Sequence, residues 1–226
     1  MNNFTSMIAG STGYLGSKIL NYLSNEDEKI YCLSRRKNTL NNLNLEELII
    51  DFDTLEEFEL PKIDHVYLCL GYELRAWELI VMPDKLKKPF YRVDYEYTLN
   101  IAKKSLDAGA KSISLVSAVG ANTNSKSFYL KTKGELEEEI KKLSFETINI
   151  FQPGHLAGRI NWQRKKNNPR IDVFAFEFAS LFFDPLMIGD LKKYRSIKAA
   201  KLAEFMVNQA KISNKRINYY RYIDFS

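Results

Sequence analysis

The sequence is poor in residues that build metal or disulfide frameworks, with two cysteines and two histidines among 226 residues. Cys32 and Cys69 each fall in an apolar run that reads as a strand, where a small buried thiol is the common occupant. No disulfide is needed, and a reducing compartment fits. His65 opens a strand and His155 follows a Pro-Gly pair, so no Cys/His cluster exists and no metal is expected. No run of about eighteen apolar residues occurs, which argues against a membrane span. The opening MNNFTS has neither the basic start nor the apolar stretch of a secretory leader. Together these absences point to the cytoplasm. The net charge is +5, yet the basic clusters are not interleaved with aromatics, and no helix-turn-helix or zinc pattern appears. Nucleic acid is therefore not an expected partner. Repeats, low-complexity stretches and flexible linkers are also missing.

What is present begins with MIAGSTGYLGSK, residues 7 to 18. Three glycines, Gly10, Gly13 and Gly16, stand directly behind a short apolar run. A nucleotide-hydrolase P-loop needs Gly-Lys-Ser/Thr after the last spacer, and here Lys18 is displaced by one residue. A dinucleotide-binding turn needs a strand, glycines that let backbone approach closely, and a helix N-terminus facing the pyrophosphate. Thr5–Ala9 supplies the strand, while Leu15, Ile19, Leu20 and Leu23 recur at helical spacing.

Strand-like runs follow at Ile30–Leu33, Leu48–Ile50, His65–Leu70, Ser112–Ser117 and Thr147–Phe151. Helical patterns fall between them at Leu15–Ser24, weakly at Leu55–Phe58, then at Tyr91–Ala108 and Lys131–Leu143. Unbroken apolar strands alternating with helices predict a doubly wound α/β fold with a parallel sheet covered on both faces. After Gly154 the chain becomes helical and aromatic. The whole, 1–226, reads as one Rossmann domain, with 155–226 as a C-terminal helical cap integrated into it.

An NAD-binding fold of this type carries an acidic residue at the tip of its second strand. Here that strand runs into Ser34-Arg35-Arg36-Lys37. Guanidinium groups bind a 2′-phosphate through charge-assisted hydrogen bonds, so Arg35 and Arg36 predict NADP(H).

Ser117 ends a strand, and Tyr129 and Lys133 follow four residues apart at a helix start. That spacing puts phenol and ammonium on one helix face. The positive charge is expected to pull the tyrosine pKa down toward a range useful for moving a hydroxyl proton. The pairs Tyr14/Lys18 and Tyr194/Lys198 have the same spacing, so it is the strand ending in serine that selects Tyr129.

GSTGYLG, LVSAVGA, YLKTK and FQPG, in this order, resemble the short-chain dehydrogenase/reductase superfamily. The stretch from CLG through RVDYEYTLNIAKKSLDAGAKSISLVSAVGANTNSKSFYLKTKGELE to INIFQPG is similar to its atypical branch containing the human Tat-interacting protein. The resemblance spans about residues 5–160. It implies that Gly10, Thr12, Gly13, Tyr14 and Leu15 line the pyrophosphate, with Arg35 and Arg36 at the 2′-phosphate. It further implies Asp51 and Phe52 at the adenine, Leu70 and Gly71 at its ribose, and Pro153, Gly154 and His155 at the nicotinamide. Ser117, Tyr129 and Lys133 would be the catalytic trio, with Lys133 also reaching the nicotinamide ribose. The chain departs from the pattern at Asp94, where many relatives carry asparagine.

Two functions follow. One is an NADP(H)-dependent oxidoreductase acting on a small carbonyl or alcohol, which the trio favours. The other is an NADPH-binding regulator acting through a protein partner. Substrate contacts would come from around Tyr72–Pro89 and the C-terminal region. In residues 170–189 the apolar side chains Val173, Phe174, Phe176, Phe178, Leu181, Phe182 and Phe183 surround a helix on nearly all sides. Such a helix needs burial on more than one side, which predicts self-association or an apolar ligand through residues 172–188.

Overall fold

The computed structural model describes residues 4–36, 44–158, 178, 184–212 and 216–226. Seven parallel strands form the central sheet in the order β3-β2-β1-β4-β5-β6-β9. They are β1 (Thr5–Ala9), β2 (Lys29–Ser34), β3 (Leu45–Ile49), β4 (His65–Leu68), β5 (Ser112–Val116), β6 (Thr147–Phe151) and β9 (Ile217–Tyr220). A two-stranded parallel pair, β7 (Leu156–Ala157) and β8 (Ile197–Lys198), lies apart from it. This is the doubly wound sheet expected from the alternating pattern.

The pleat sends successive residues to opposite faces, and the register makes both faces apolar. Met7 pairs with Tyr31 and Val66 and joins them in one core. Its neighbour Ile8 pairs with Cys32 and Tyr67 and joins them in the other. On that second face lie α1 (Tyr14–Leu23), burying Leu15, Ile19, Leu20 and Leu23, and α5 (Ala199–Ala210), burying Leu202, Ala203, Met206 and Val207. The first face is covered by α3 (Thr98–Asp107) and α4 (Phe128–Lys142) through Leu99, Ile101, Ala102, Leu136 and Ile140.

The helix expected from Tyr91 begins earlier. One continuous helical run comprises α2 (Asp84–Tyr91), a π-helical turn Arg92–Tyr97, and α3. Pro89 inside α2 cannot donate to the ladder, and the wider turn follows directly. Such turns frequently mark functional positions, and this one carries Asp94 into the interior. α4 starts at Phe128 rather than Lys131, because Ser127 Oγ accepts from Leu130 N at 3.5 Å and caps it. The weak helix expected near Leu55 is a 3-10 turn, Phe52–Glu57, whose cap Asp51 accepts from Asp53 N at 3.1 Å.

The C-terminal region expected as a cap supplies β9 to the sheet edge and α5 to the layer beside α1. A four-residue helix, α6 (Tyr222–Phe225), follows and buries Phe225. The apolar helix expected around 173–183 lies outside the described residues, apart from Phe178, which is exposed. No helix among the described residues is long and apolar enough to cross a membrane.

Candidate functional site

In a parallel sheet all strands end on one edge. Gly10 after β1, Arg35 after β2, Asp51 after β3, Leu70 after β4, Ser117 after β5 and Pro153 after β6 therefore share it. The strand order reverses between β1 and β4, which is where ligands bind in open α/β sheets.

The glycine turn occupies this switch point. Gly10 has φ +91°, and a Cβ there would lie 2.8 Å from the carbonyl oxygen of Cys69. Only glycine fits such an approach without strain. A Cβ on Gly16 would fall 2.2 Å from Gly10 O, so α1 is pressed directly on the turn. Gly13 stands at the N-cap of α1 and gives it no side-chain cap. The first N–H groups of a ten-residue helix thus point at the edge with the positive end of the helix dipole. This cradle fits a dinucleotide pyrophosphate. Leu15 is buried against the sheet, so it can offer the cradle backbone alone. Tyr14 reaches across the edge, its hydroxyl donating to Ala157 O at 2.7 Å. The opposite wall is Pro153-Gly154-His155, held by Val119 N donating to Pro153 O and Ile197 N to His155 O. A Cβ on Gly154 would meet the carbonyl oxygens of Tyr194 and Arg195 at 2.8 Å.

Arg35 and Arg36 are exposed at the tip of β2. The Arg35 guanidinium lies 5.9 Å from the Phe52 ring centroid. Phe52 itself is buried in the core, edge-on to Tyr97. Arg92 and Tyr97 both hydrogen-bond Asp53, which sequence reasoning did not single out. Gly71 is open, with nothing within 4 Å of where a Cβ would stand.

On α4, Tyr129, Lys133 and Glu137 occupy successive turns of one face. Tyr129 packs against Phe90 at 5.7 Å, beside Tyr72, Leu74 and Met82 from the segment after β4. Lys133 Nζ lies 2.8 Å from Asp94 Oδ1, with side chains 6% and 3% exposed. The other carboxylate oxygen of Asp94 accepts from Tyr72 N at 2.6 Å. Burial alone would depress the lysine pKa, but the charge and hydrogen bond of Asp94, with Tyr129 and Glu137 adding to them, outweigh it and the net direction is up.

The expected depression of the Tyr129 pKa is not what the surroundings produce. Lys133 does pull it down, yet burial outweighs that pull and Asp94 adds to burial, so the net direction is up. Sequence spacing showed the ammonium but not the carboxylate already paired with it.

Ser117 is buried, and its hydroxyl donates to Glu137 Oε1. Gln152 Nε2 donates to both oxygens of Glu137 at 3.0 and 3.2 Å, and Arg221 Nε donates to Gln152 Oε1 at 3.0 Å. The serine is thus tied to α4 eight residues beyond Tyr129, about 12 Å along the helix axis. The structure brings Tyr129 and Lys133 together and holds the Ser117 hydroxyl in a separate buried network. Glu137 and Gln152 were missed, although Glu137 continues the i, i+4 series that begins at Tyr129.

His65 is fully buried between Ser112 Oγ and Ser114 Oγ, at 2.6 and 3.0 Å, and burial lowers its pKa to about 3. It is a neutral core residue. Among the described residues no group of three or more His, Cys, Asp and Glu is placed to hold a metal, and Cys32 and Cys69 are free thiols.

The sequence is similar to known proteins along this same frame. Residues 6–151 match the model of the NAD dependent epimerase/dehydratase family. Protein HTATIP2 of Rattus norvegicus is 31% identical over 165 residues, covering 69% of this chain and 64% of that one. Protein FMP52, mitochondrial, of Meyerozyma guilliermondii is 31% identical over 206 residues, covering 88% and 84%. Among solved structures, a short chain dehydrogenase family protein from Francisella tularensis superposes with TM-score 0.71 at 13% identity, covering 96% of both chains. The human epimerase family protein SDR39U1 with NADPH superposes at 0.62 and 14%, covering 96% and 74%. At these identities the structural likeness is one of fold. With the glycine turn at the switch point and Tyr129 and Lys133 on α4, the chain belongs to the NAD dependent epimerase/dehydratase family, as an atypical short-chain dehydrogenase/reductase.

Proposed function

We propose that this protein is an NADP(H)-dependent oxidoreductase acting on a small carbonyl or alcohol. The observation that carries this reading is the placement of Tyr129 above the buried Lys133, on the helix that follows β5, at the sheet edge that also bears the uncapped N-terminus of α1. Gly10, Thr12, Gly13 and the backbone of Tyr14 and Leu15 would hold the pyrophosphate. Arg35 and Arg36 would hold the 2′-phosphate, and the absence of a carboxylate at that strand tip removes the group that would repel it. Asp51 and Phe52 would border the adenine, Leu70 and Gly71 its ribose, and Pro153, Gly154 and His155 the nicotinamide.

A bound reduced nicotinamide would supply hydride to a carbonyl carbon, and Tyr129 would give its phenolic proton to the carbonyl oxygen. Lys133 then stabilises the phenolate left behind. Ser117, tied to Glu137, supports the end of β5 beneath this site. The side chains of Tyr72, Leu74 and Met82 beside Tyr129 favour a substrate with an apolar portion. Cytoplasm suits the two free thiols, and the mitochondrial relatives make fractionation the check on location.

A screen of aldehydes, ketones and quinones for NADPH oxidation tests the reading. Turnover that Tyr129→Phe abolishes while NADPH affinity is kept is the expected result. Full activity in Tyr129→Phe contradicts it.

A further inference from the structure

We infer that Asp94 is a positioning residue for proton transfer at Tyr129. One carboxylate oxygen holds the Lys133 ammonium and the other fastens the backbone after β4, and this keeps Tyr129 a phenol, suited to giving a proton to a carbonyl rather than taking one from an alcohol. The inference rests on the function proposed above.

An ammonium left to itself beneath a phenol favours the phenolate, which is the base that alcohol oxidation needs. Here the Asp94 carboxylate already stands 2.8 Å from the ammonium and shares its charge. The carboxylate is fixed as well, because Tyr72 N holds its second oxygen at 2.6 Å. The remaining surroundings of Tyr129 supply no compensating cation among the described residues. Phe90, Leu74 and Met82 are apolar. The Cys69 thiol at the end of β4 is pushed up to about 12 by burial and stays neutral. Glu137, on the next turn of α4 beyond Lys133, adds negative charge when ionised. Burial and Asp94 raise the Tyr129 pKa, and Lys133 opposes them.

An asparagine at this position would still accept from Tyr72 N while losing the charge. Asp94→Asn therefore separates holding the backbone from sharing the ammonium. The test is a pH titration of protein labelled with 13C at tyrosine Cζ, read by NMR, with the Tyr129 resonance assigned from its absence in Tyr129→Phe. In the wild type this resonance is expected to ionise only above the range of an exposed tyrosine, because burial outweighs the pull of Lys133. Asp94→Asn is expected to lower its midpoint by about one unit or more, and Asp94→Glu to restore the wild-type behaviour. Should Asp94→Asn not fold, Asp94→Ala, which leaves room for water on the ammonium, is read in the same way. A midpoint unmoved in a folded neutral variant overturns the inference. NADPH titration of the wild type is a separate readout: a protein that ignores NADPH overturns the proposed function and leaves the tyrosine comparison standing.

Discussion

Lys133 and Asp94 form a buried ion pair, Nζ to Oδ1 2.8 Å, that joins α4 to the π-helical turn before α3. The pair matters to the fold as well as to the chemistry, because breaking a buried pair leaves an uncompensated charge in a medium that solvates it poorly. Lys133→Ala is expected to destabilise the protein by about 3–5 kcal/mol at pH 7. The double variant Lys133→Ala, Asp94→Ala should recover part of that loss. Denaturant unfolding of the two variants decides the matter, and a double variant no more stable than the single one would show that the pair is not coupled.

The glycine turn gives a second prediction. A Cβ on Gly16 would stand 2.2 Å from Gly10 O, against backbone that cannot swing aside. Gly16→Ala should lower stability by about 1–3 kcal/mol and weaken dinucleotide binding, since α1 must back away from the turn. Gly71→Ala meets nothing within 4 Å and should leave the melting temperature unchanged. Equal melting temperatures for the two variants would show that the close approach of α1 carries no strain.

Glu28 supplies a pH dependence. It is buried beside β2, and Lys211 Nζ lies 3.8 Å away. Burial raises its pKa from 4.5 to about 7 against the pull of Lys211. The folded chain thus holds this proton more tightly than the unfolded chain does. The contribution is fully present below about pH 4.5 and is lost as pH rises through about 7, at most about 3 kcal/mol in all. Glu28→Gln should raise the melting temperature at pH 8 and change it much less at pH 5. An equal shift at both values would mean that Glu28 does not titrate in this window.

The parts of this architecture visible in the sequence are those that local pattern determines. β1, β2 and β4–β6 are apolar runs because both sheet faces are covered, and α1 follows from the spacing of Leu15, Ile19 and Leu23. β3 begins at Leu45 rather than at the expected Leu48, because Glu46 and Glu47 interrupt its apolar run at a half-exposed sheet position. β9 and its place beside β6 depend on a pairing between residues about seventy apart, which periodicity does not encode. At the site, helical spacing puts Tyr129 and Lys133 on one face of α4, and the strand ending in Ser117 sets that pair apart from Tyr14/Lys18 and Tyr194/Lys198. Asp94 and Glu137 were not legible in the sequence, because their roles come from contacts between elements: a π-helical turn aims Asp94 at Lys133, and the end of β5 delivers Ser117 to Glu137.

Cofactor choice separates an NADP(H)-dependent enzyme from an NAD(H)-dependent one and from a fold that binds neither. In the proposed function the exposed Arg35 and Arg36 would meet the 2′-phosphate and the glycine turn the pyrophosphate. Removing one charge-assisted contact should weaken binding by about 1.5–3 kcal/mol, tenfold or more in Kd. The measurement is calorimetric titration of the wild type and Arg35→Ala with NADPH and NADH. Saturable binding of both by the wild type is expected, NADPH the tighter, with the preference reduced in Arg35→Ala and NADH affinity little changed. Equal affinities in the wild type, or no binding of either dinucleotide, would contradict the proposed function.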